Sequence, residues 1–181
     1  LAGQAAIALE KARLLADEER RGDEFAALYR VSTGLSAEQD LQSVLCAITE
    51  AAAQLLEVPS VSIFLYDEPR DLIVLTVNKG SEIPLGLSLK MGEGMAGRVA
   101  RSRTPLIVDD YHTWQYRNKS LDHIPYTSVL HVPMLFGGTL IGILGVAQIG
   151  NIHRNFSEEE TRLLTLFAGQ AASAVYSARL F

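Results

Sequence analysis

HIPYTSVLHVPMLFGGTLIGILGVAQIGNIH, residues 123–153, decides how this chain folds. The run holds no Asp, Glu, Lys or Arg and is long enough to invite a membrane-spanning reading. It also holds Pro125, Pro133, three histidines, Gln148 and a Gly137-Gly138 pair near its centre. Two apolar segments of strand length, Thr127–Phe136 and Thr139–Ile149, flank that pair, and Gly-Gly between such segments reads as a tight β-hairpin. A bilayer would leave Pro133 and both glycines at mid-membrane. The run is a buried hairpin.

Upstream, Val61–Tyr66 and Leu72–Val77 are near-continuous apolar strands around the turn residues Asp67-Glu68-Pro69-Arg70-Asp71. Strands apolar at consecutive positions are covered on both faces, so helices or loops must lie on each side of the sheet. A short strand near Leu87–Lys90 precedes a glycine-rich turn and a short helix to about Arg101. Residues 109–126 read as an irregular polar and aromatic connection. Leu1 to about Arg30 reads as one long helix with Asp17-Glu18-Glu19-Arg20-Arg21 as its solvated middle. A second helix runs from the Ser36–Asp40 region to about Leu56, where Val58-Pro59 stops it. Ser157-Glu158-Glu159-Glu160 opens the final helix as a capping box, Ser157 accepting from an amide three residues on while Glu160 reaches back. This order predicts an α+β fold on a central antiparallel sheet.

At 181 residues the chain has room for one domain and some extra, with a core that needs no staples. Its net charge of −5 and scattered Lys and Arg provide no basic face for a phosphate backbone, which excludes nucleic acid as partner. The single cysteine, Cys46, rules out an internal disulfide and any Cys-built zinc site, and fits a reducing, cytoplasmic setting. No signal peptide or anchor is visible, so no membrane contact is expected from these residues; the parent protein could still carry an anchor. With its start at Leu1 rather than Met, the sequence is expected to be a piece excised from a longer protein.

Residues 1–15, LAGQAAIALEKARLL, and 167–181, FAGQAASAVYSARLF, are identical at 9 of 15 positions. Both share Gly-Gln and Ala-Arg-Leu. The expectation is that residues 1–24 are the tail helix of a preceding copy of the same domain plus a linker helix, and that 25–181 form the domain itself.

Gly92-Glu93-Gly94-Met95-Ala96-Gly97 has the spacing of a dinucleotide fingerprint. That chemistry needs a parallel βαβ unit and an acidic residue about 20 positions on. Arg117 stands there, the sheet reads as antiparallel, and Glu93 would sit against a pyrophosphate. The glycines read as a tight strand-to-helix turn, with Gly94 at positive φ.

Taken together in their order, several pieces resemble the GAF domain. They are Gly92-x-Gly94-x-x-Gly97-x-Val99, Pro105 followed by Asp110, Ser128-x-Leu130-x-Val132-Pro133, Gly142, and Phe156-Ser157 with Glu159-Glu160 before an Ala-rich helix. The resemblance covers roughly residues 25–181. It implies a PAS-like antiparallel sheet of about six strands, terminal helices on one face, and a ligand pocket under short helices and loops on the other. It names no ligand, because the fold hosts many.

Ligand classes known in that family can be tested against these residues. Cyclic-nucleotide members carry Asn-Lys and then Phe, three residues, and Asp-Glu. Asn151 and Phe156 match, but Ile152 replaces the Lys and Glu160-Thr161 replaces Asp-Glu, which removes the ion pair and disfavours cyclic nucleotides. Bilin members attach the pigment to a pocket cysteine, and the 109–126 connection has none. His123 resembles the haem-binding histidine of a few members; the plainer reading is a solvated loop histidine. A methionine sulfoxide reductase of this fold works with several pocket cysteines, because a sulfenic acid must be resolved by a second thiol. One cysteine cannot do that. The four histidines lack metal-ligand spacing, so neither an enzyme, a metal nor a cofactor is assigned.

Tyr111, Trp114, Tyr116 and Tyr126 are four of 13 aromatic residues packed into 16 positions, with Asp110, His112, Asn118 and His123 beside or among them. Aromatic walls with a few polar groups suit a small-molecule site. His131, between apolar neighbours in a strand, reads as a hydrogen-bonded core or pocket-wall histidine. Asp110, Tyr111, Trp114, Tyr116, His123, Tyr126 and His131 are the pocket candidates. The functional expectation is a sensory or regulatory module of a larger signalling protein, of histidine-kinase or cyclase type, that binds an unidentified small molecule and signals through its terminal helices. The alternative is a ligand-free dimerisation or spacer domain.

In the final helix Leu164, Phe167, Ala171, Ala174, Ala178 and Phe181 alternate at spacings of three and four, and Ala5, Ala8, Ala12 and Leu15 repeat that phase in the first. This predicts a parallel homodimer through the N- and C-terminal helices, with packing on the chain's own sheet as the competing explanation.

Overall fold

The computed structural model describes residues 2–31 and 37–180, so Leu1, Ser36 and Phe181 lie outside the described residues. In chain order the elements are α1 (Ala2–Val31), α2 (Ala37–Leu55), β1 (Ser60–Asp67), β2 (Leu72–Lys79), β3 (Ser88–Lys90), α3 (Gly94–Ser102), β4 (Leu106–Val108), β5 (Tyr126–Phe136), β6 (Thr139–Ile149) and α4 (Glu158–Leu180). A 3-10 turn over Lys119–Leu121 interrupts the long connection. The chain divides into two compact units, residues 1–40 and 41–181. In the first, α1 is a single unbroken helix.

The second unit is built on six strands in the order β3-β2-β1-β6-β5-β4, every neighbouring pair antiparallel. The charge-free run forms the central β5–β6 hairpin, closed by Gly137 and Gly138, both at positive φ. Backbone conformations of that kind suit the two-residue turns that match strand twist. β4, which pairs Leu106–Val108 with Val129–His131, is the strand the sequence did not reveal. It is three residues long and follows Thr104-Pro105, too short for any period to register.

Both faces of this sheet are covered, as the continuous apolar strands require. On one face, Val61 and Ile63 of β1, Val132 and Met134 of β5 and Leu144 of β6 are buried with α2 and α4. The helices contribute Leu45, Ile48 and Ala52, and Leu164, Ala168, Ala171 and Val175. Alanines along α4 let its backbone approach the sheet closely. Fully burying each Leu or Ile is worth roughly 1.5–3 kcal/mol. The other face buries Phe64, Ile73, Leu75, Val129 and Ile143 beneath α3 and the connection after β4.

The dimer stripe therefore changes its meaning. Leu164 and Ala171 are fully buried in the chain's own core, Ala174 is 8% exposed, and Phe167 packs against the same cluster. A three-four spacing marks any helix face that meets an apolar partner, and in α4 the sheet takes that place.

The α4 entrance has the geometry its sequence predicts. Ser157 Oγ accepts from Glu160 N at 3.1 Å, and Glu160 Oε2 accepts from Ser157 N at 2.8 Å. Arg154 ties this end down by pairing with Glu160 and donating to Glu57 O, just past α2, at 3.1 Å. Burial works against the Glu160 carboxylate, but the hydrogen bonds from Ser157 and Arg154 prevail and hold its pKa low.

Candidate functional site

Alternation along β1 builds the floor of the site. Val61 and Ile63 point to the helices, so Ser60, Ser62 and Phe64 face the other side and line a cavity of about 40 Å3. That volume holds roughly three waters. Its walls come from Tyr126 and His131 on β5 and Gly145 on β6; its roof comes from Gly94, Met95 and Ala96 of α3, with Tyr111 and Asn118 from the connection.

His131 and Gly145 are cross-strand partners. A Cβ at position 145 would overlap Cδ2 and Nε2 of the imidazole, so the ring lies over bare glycine backbone. Phe64 stands beside it, ring centroids 6.0 Å apart. The ring is buried, and Nδ1 finds no hydrogen-bond partner, so the expected hydrogen-bonded core histidine is instead an under-satisfied one. Burial alone pushes its pKa down to about 4. A neutral imidazole offers one N–H donor and one lone-pair acceptor.

The two tyrosines meet edge to face, centroids 5.6 Å apart. Tyr111 Oη accepts from Asn118 N at 3.2 Å, which leaves its own proton to donate. Burial raises the pKa of both phenols. For Tyr126 the neighbouring hydroxyls of Ser81 and Ser60 act in the opposite sense. Both remain protonated at neutral pH.

The glycine motif serves the turn into the roof. Gly92 N–H donates to Gly97 O at 2.7 Å, and a Cβ at Gly97 would overlap Lys90 O. Gly94 has φ +56°, as the turn reading requires. Glu93 spends its carboxylate on Lys90 N at 2.9 Å and caps no amide of α3, so the orphan donors of the first helical turn carry no side-chain cap.

Of the seven sequence candidates, Tyr111, Tyr126 and His131 line the cavity. The other four do not. Trp114 is half-buried in the outer layer of the cover, against Tyr111 and Tyr116, with the Arg98 guanidinium 3.4 Å from the Tyr116 ring centroid. Tyr116, Asp110 and His123 are exposed. A cluster of aromatics in a loop says nothing of which side of the loop each ring takes. Sequence reasoning also missed Ser60, Ser62 and Gly145. The signal for the serines was present: two small polar residues at period two in an otherwise apolar strand. Among the described residues no group of acidic, histidine or cysteine side chains is arranged to hold a metal. The only cysteine, Cys46, is exposed on α2 and is not part of the cavity wall.

A six-stranded antiparallel sheet with helices on one face and a roofed cavity on the other defines an α+β domain of the PAS-like kind. A family model for the GAF domain matches residues 38–175, and the chain belongs to that family. Similar solved structures include the GAF domain of an Acinetobacter phosphoenolpyruvate-protein phosphotransferase, 22% identical with a TM-score of 0.70 over 92% of this chain and 96% of that one. Free methionine-R-sulfoxide reductase from Neisseria meningitidis, in complex with its substrate, is 17% identical with a TM-score of 0.69 over 86% and 88%. The blue-light-absorbing form of the Thermosynechococcus elongatus PixJ GAF domain is 16% identical with a TM-score of 0.65 over 82% and 92%. At these identities the likeness is one of fold. No curated protein matches the chain.

Proposed function

We propose that this domain is a sensory or regulatory module of a larger cytoplasmic signalling protein, of histidine-kinase or cyclase type. In this reading the cavity binds a small molecule and the terminal helices carry the state onward. The supporting observation is that β1 and β6 serve both sides: Ser62 and Gly145 face the cavity while Ile63 and Leu144, next in chain, pack on the helix side. A ligand that favours one arrangement of these strands would bias the helices by its differential affinity. A methyl-accepting chemotaxis protein is among the structures of this fold. The role is read as non-catalytic, since the exposed Cys46 cannot supply the paired thiols of sulfoxide reduction. Native mass spectrometry of the purified chain tests it, together with hydrogen exchange in α4. The reading expects a reproducible co-purifying molecule whose removal changes α4 protection; an empty cavity with unchanged exchange would sink it.

That second outcome belongs to a ligand-free dimerisation or spacer domain, a reading supported by the small volume left beside Tyr126. Either reading includes residues 1–24 as the tail of a preceding copy and a homodimer through the terminal helices. On α4 the outward apolar residues are Leu166, Tyr176 and Leu180, not the buried stripe. Sedimentation should therefore show Leu166→Glu as a folded monomer and Ala174→Glu as a destabilised chain. A wild type that stays monomeric at high concentration ends the dimer reading.

A further inference from the structure

We infer that the cavity selects a small uncharged molecule carrying both a hydrogen-bond donor and an acceptor, of the carboxamide or urea class, that takes the ring of His131 as one of its partners. The inference rests on reading the cavity as a ligand site and goes further by naming the ligand's chemistry. No Asp, Glu, Lys or Arg is among the described residues that line it. Its polar groups are hydroxyls, an asparagine and one imidazole. An ion buried there would lose its hydration with no opposite charge to replace it. On the cover, Arg117 pairs with Asp122 at 2.9 Å, and Arg98 lays its guanidinium on the ring of Tyr116 with its Nε unpartnered, and neither lines the cavity.

A purely apolar guest fits no better. His131 is 9% exposed and lines the cavity; its unpartnered Nδ1 lies covered, so a guest meets the ring at its remaining surface. Its low pKa agrees with a ring that stays neutral beside a neutral guest. The phenol of Tyr111 has a proton to give, and Ser60 and Ser62 hold hydroxyls against the floor. One imidazole and several hydroxyls can each act as donor or acceptor, which matches an amide, whose N–H and C=O lie side by side. Room for about three waters limits the guest, in this conformation, to about three or four heavy atoms.

Acetamide and acetate have nearly the same shape and differ in charge, so they make the test. Each would be titrated at pH 7 into the isotope-labelled full chain, with the His131 ring and the Gly94 and Gly145 amides followed by NMR. Acetamide should shift these signals with a dissociation constant of about millimolar order, as expected for so few atoms, and acetate should bind at least tenfold more weakly. His131→Phe keeps the ring and removes its nitrogens; it should weaken acetamide at least tenfold while the spectrum stays dispersed. Should that variant fail to fold, Ser62→Ala takes its place and should weaken acetamide severalfold. Acetate binding as well as acetamide would overturn the inference and leave the sensory reading standing. Acetamide binding that neither variant weakens would also overturn it. Binding of neither would remove both the inference and the cavity's support for a ligand.

Discussion

The two faces of the sheet share the same strands and differ in what they bury. On the helix side Val61, Ile63, Val132 and Leu144 meet Leu45, Leu164 and the alanines of α4, and the buried Thr49 of α2 donates its hydroxyl to Cys46 O at 2.8 Å. On the cavity side the neighbouring residues are Ser60, Ser62, His131 and Gly145, with two buried phenols beside them. The first face has one task, and packing fulfils it. The second carries polar groups that packing alone would have selected against, since a buried group without a partner costs about 1–3 kcal/mol. The contrast marks out the cavity more sharply than the aromatic content does.

That contrast can be broken at several places. Leu144→Ala on the helix side should cost about 3–4 kcal/mol, because it removes a fully buried side chain and leaves a cavity between strand and helices. Denaturant unfolding measures it, and a loss under about 1 kcal/mol would mean this face is loosely packed. On the cavity side His131→Phe should change stability at pH 7 by less than about 1.5 kcal/mol, since an unpartnered ring nitrogen goes while a somewhat larger ring must fit over Gly145. Its larger effect is on pH dependence. The folded pKa of about 4 lies below the ordinary value of 6.5, so the unfolded chain takes up a proton that the folded chain refuses. The neutral ring's contribution is whole above about pH 6.5 and is lost as the pH falls toward 4, a change of about 3 kcal/mol across that window. His131→Phe should flatten the wild-type slope there. Parallel curves for the two proteins would show that the ring is not buried and neutral.

Smaller effects separate the edges of the two faces. Gly94→Val should destabilise by about 1–2 kcal/mol through its positive φ, because a Cβ there meets only Asn118 Cβ at 3.9 Å, an ordinary contact. Equal stability would sink the strained-turn reading of the roof. Ser157→Ala should cost about 1 kcal/mol by uncapping α4, with no change in the His131 resonances. A shift at His131 would show the faces to be coupled more tightly than their separate clusters imply.

The elements were legible wherever a local rule had enough residues to act on. The β5–β6 hairpin could be read because Gly137-Gly138 divides two long apolar runs, and the α4 cap because Ser157 and Glu160 stand three apart. β4 escaped because three residues carry no period. The cavity was legible in part. His131 and the two tyrosines were singled out from their neighbours in sequence, but their placement depends on Gly145 and β1, which lie far away along the chain. Trp114 and Tyr116 misled because a loop can turn a ring to either side, and Arg98 offers their outer faces a cation. The α4 half of the three-four stripe packs on the chain's own sheet, because sheet and partner helix ask for the same spacing.

Arg154 ties down one corner of the helix layer. It grips the chain just past α2 through Glu57 O and the first turn of α4 through Glu160, with its guanidinium beside Phe156. The opposite end of α4 is latched more lightly, by Arg179 on Tyr66 O at 3.0 Å and by the stacked rings of Tyr176 and Phe136. A helix of 23 residues is a rod of about 33 Å. Swinging that rod by only about 5° around the Arg154 corner displaces its tip by about 3 Å, enough to unseat the Arg179 latch. Sub-ångström adjustments in the strands would thus be geared up along α4, with the full travel delivered at its carboxyl end.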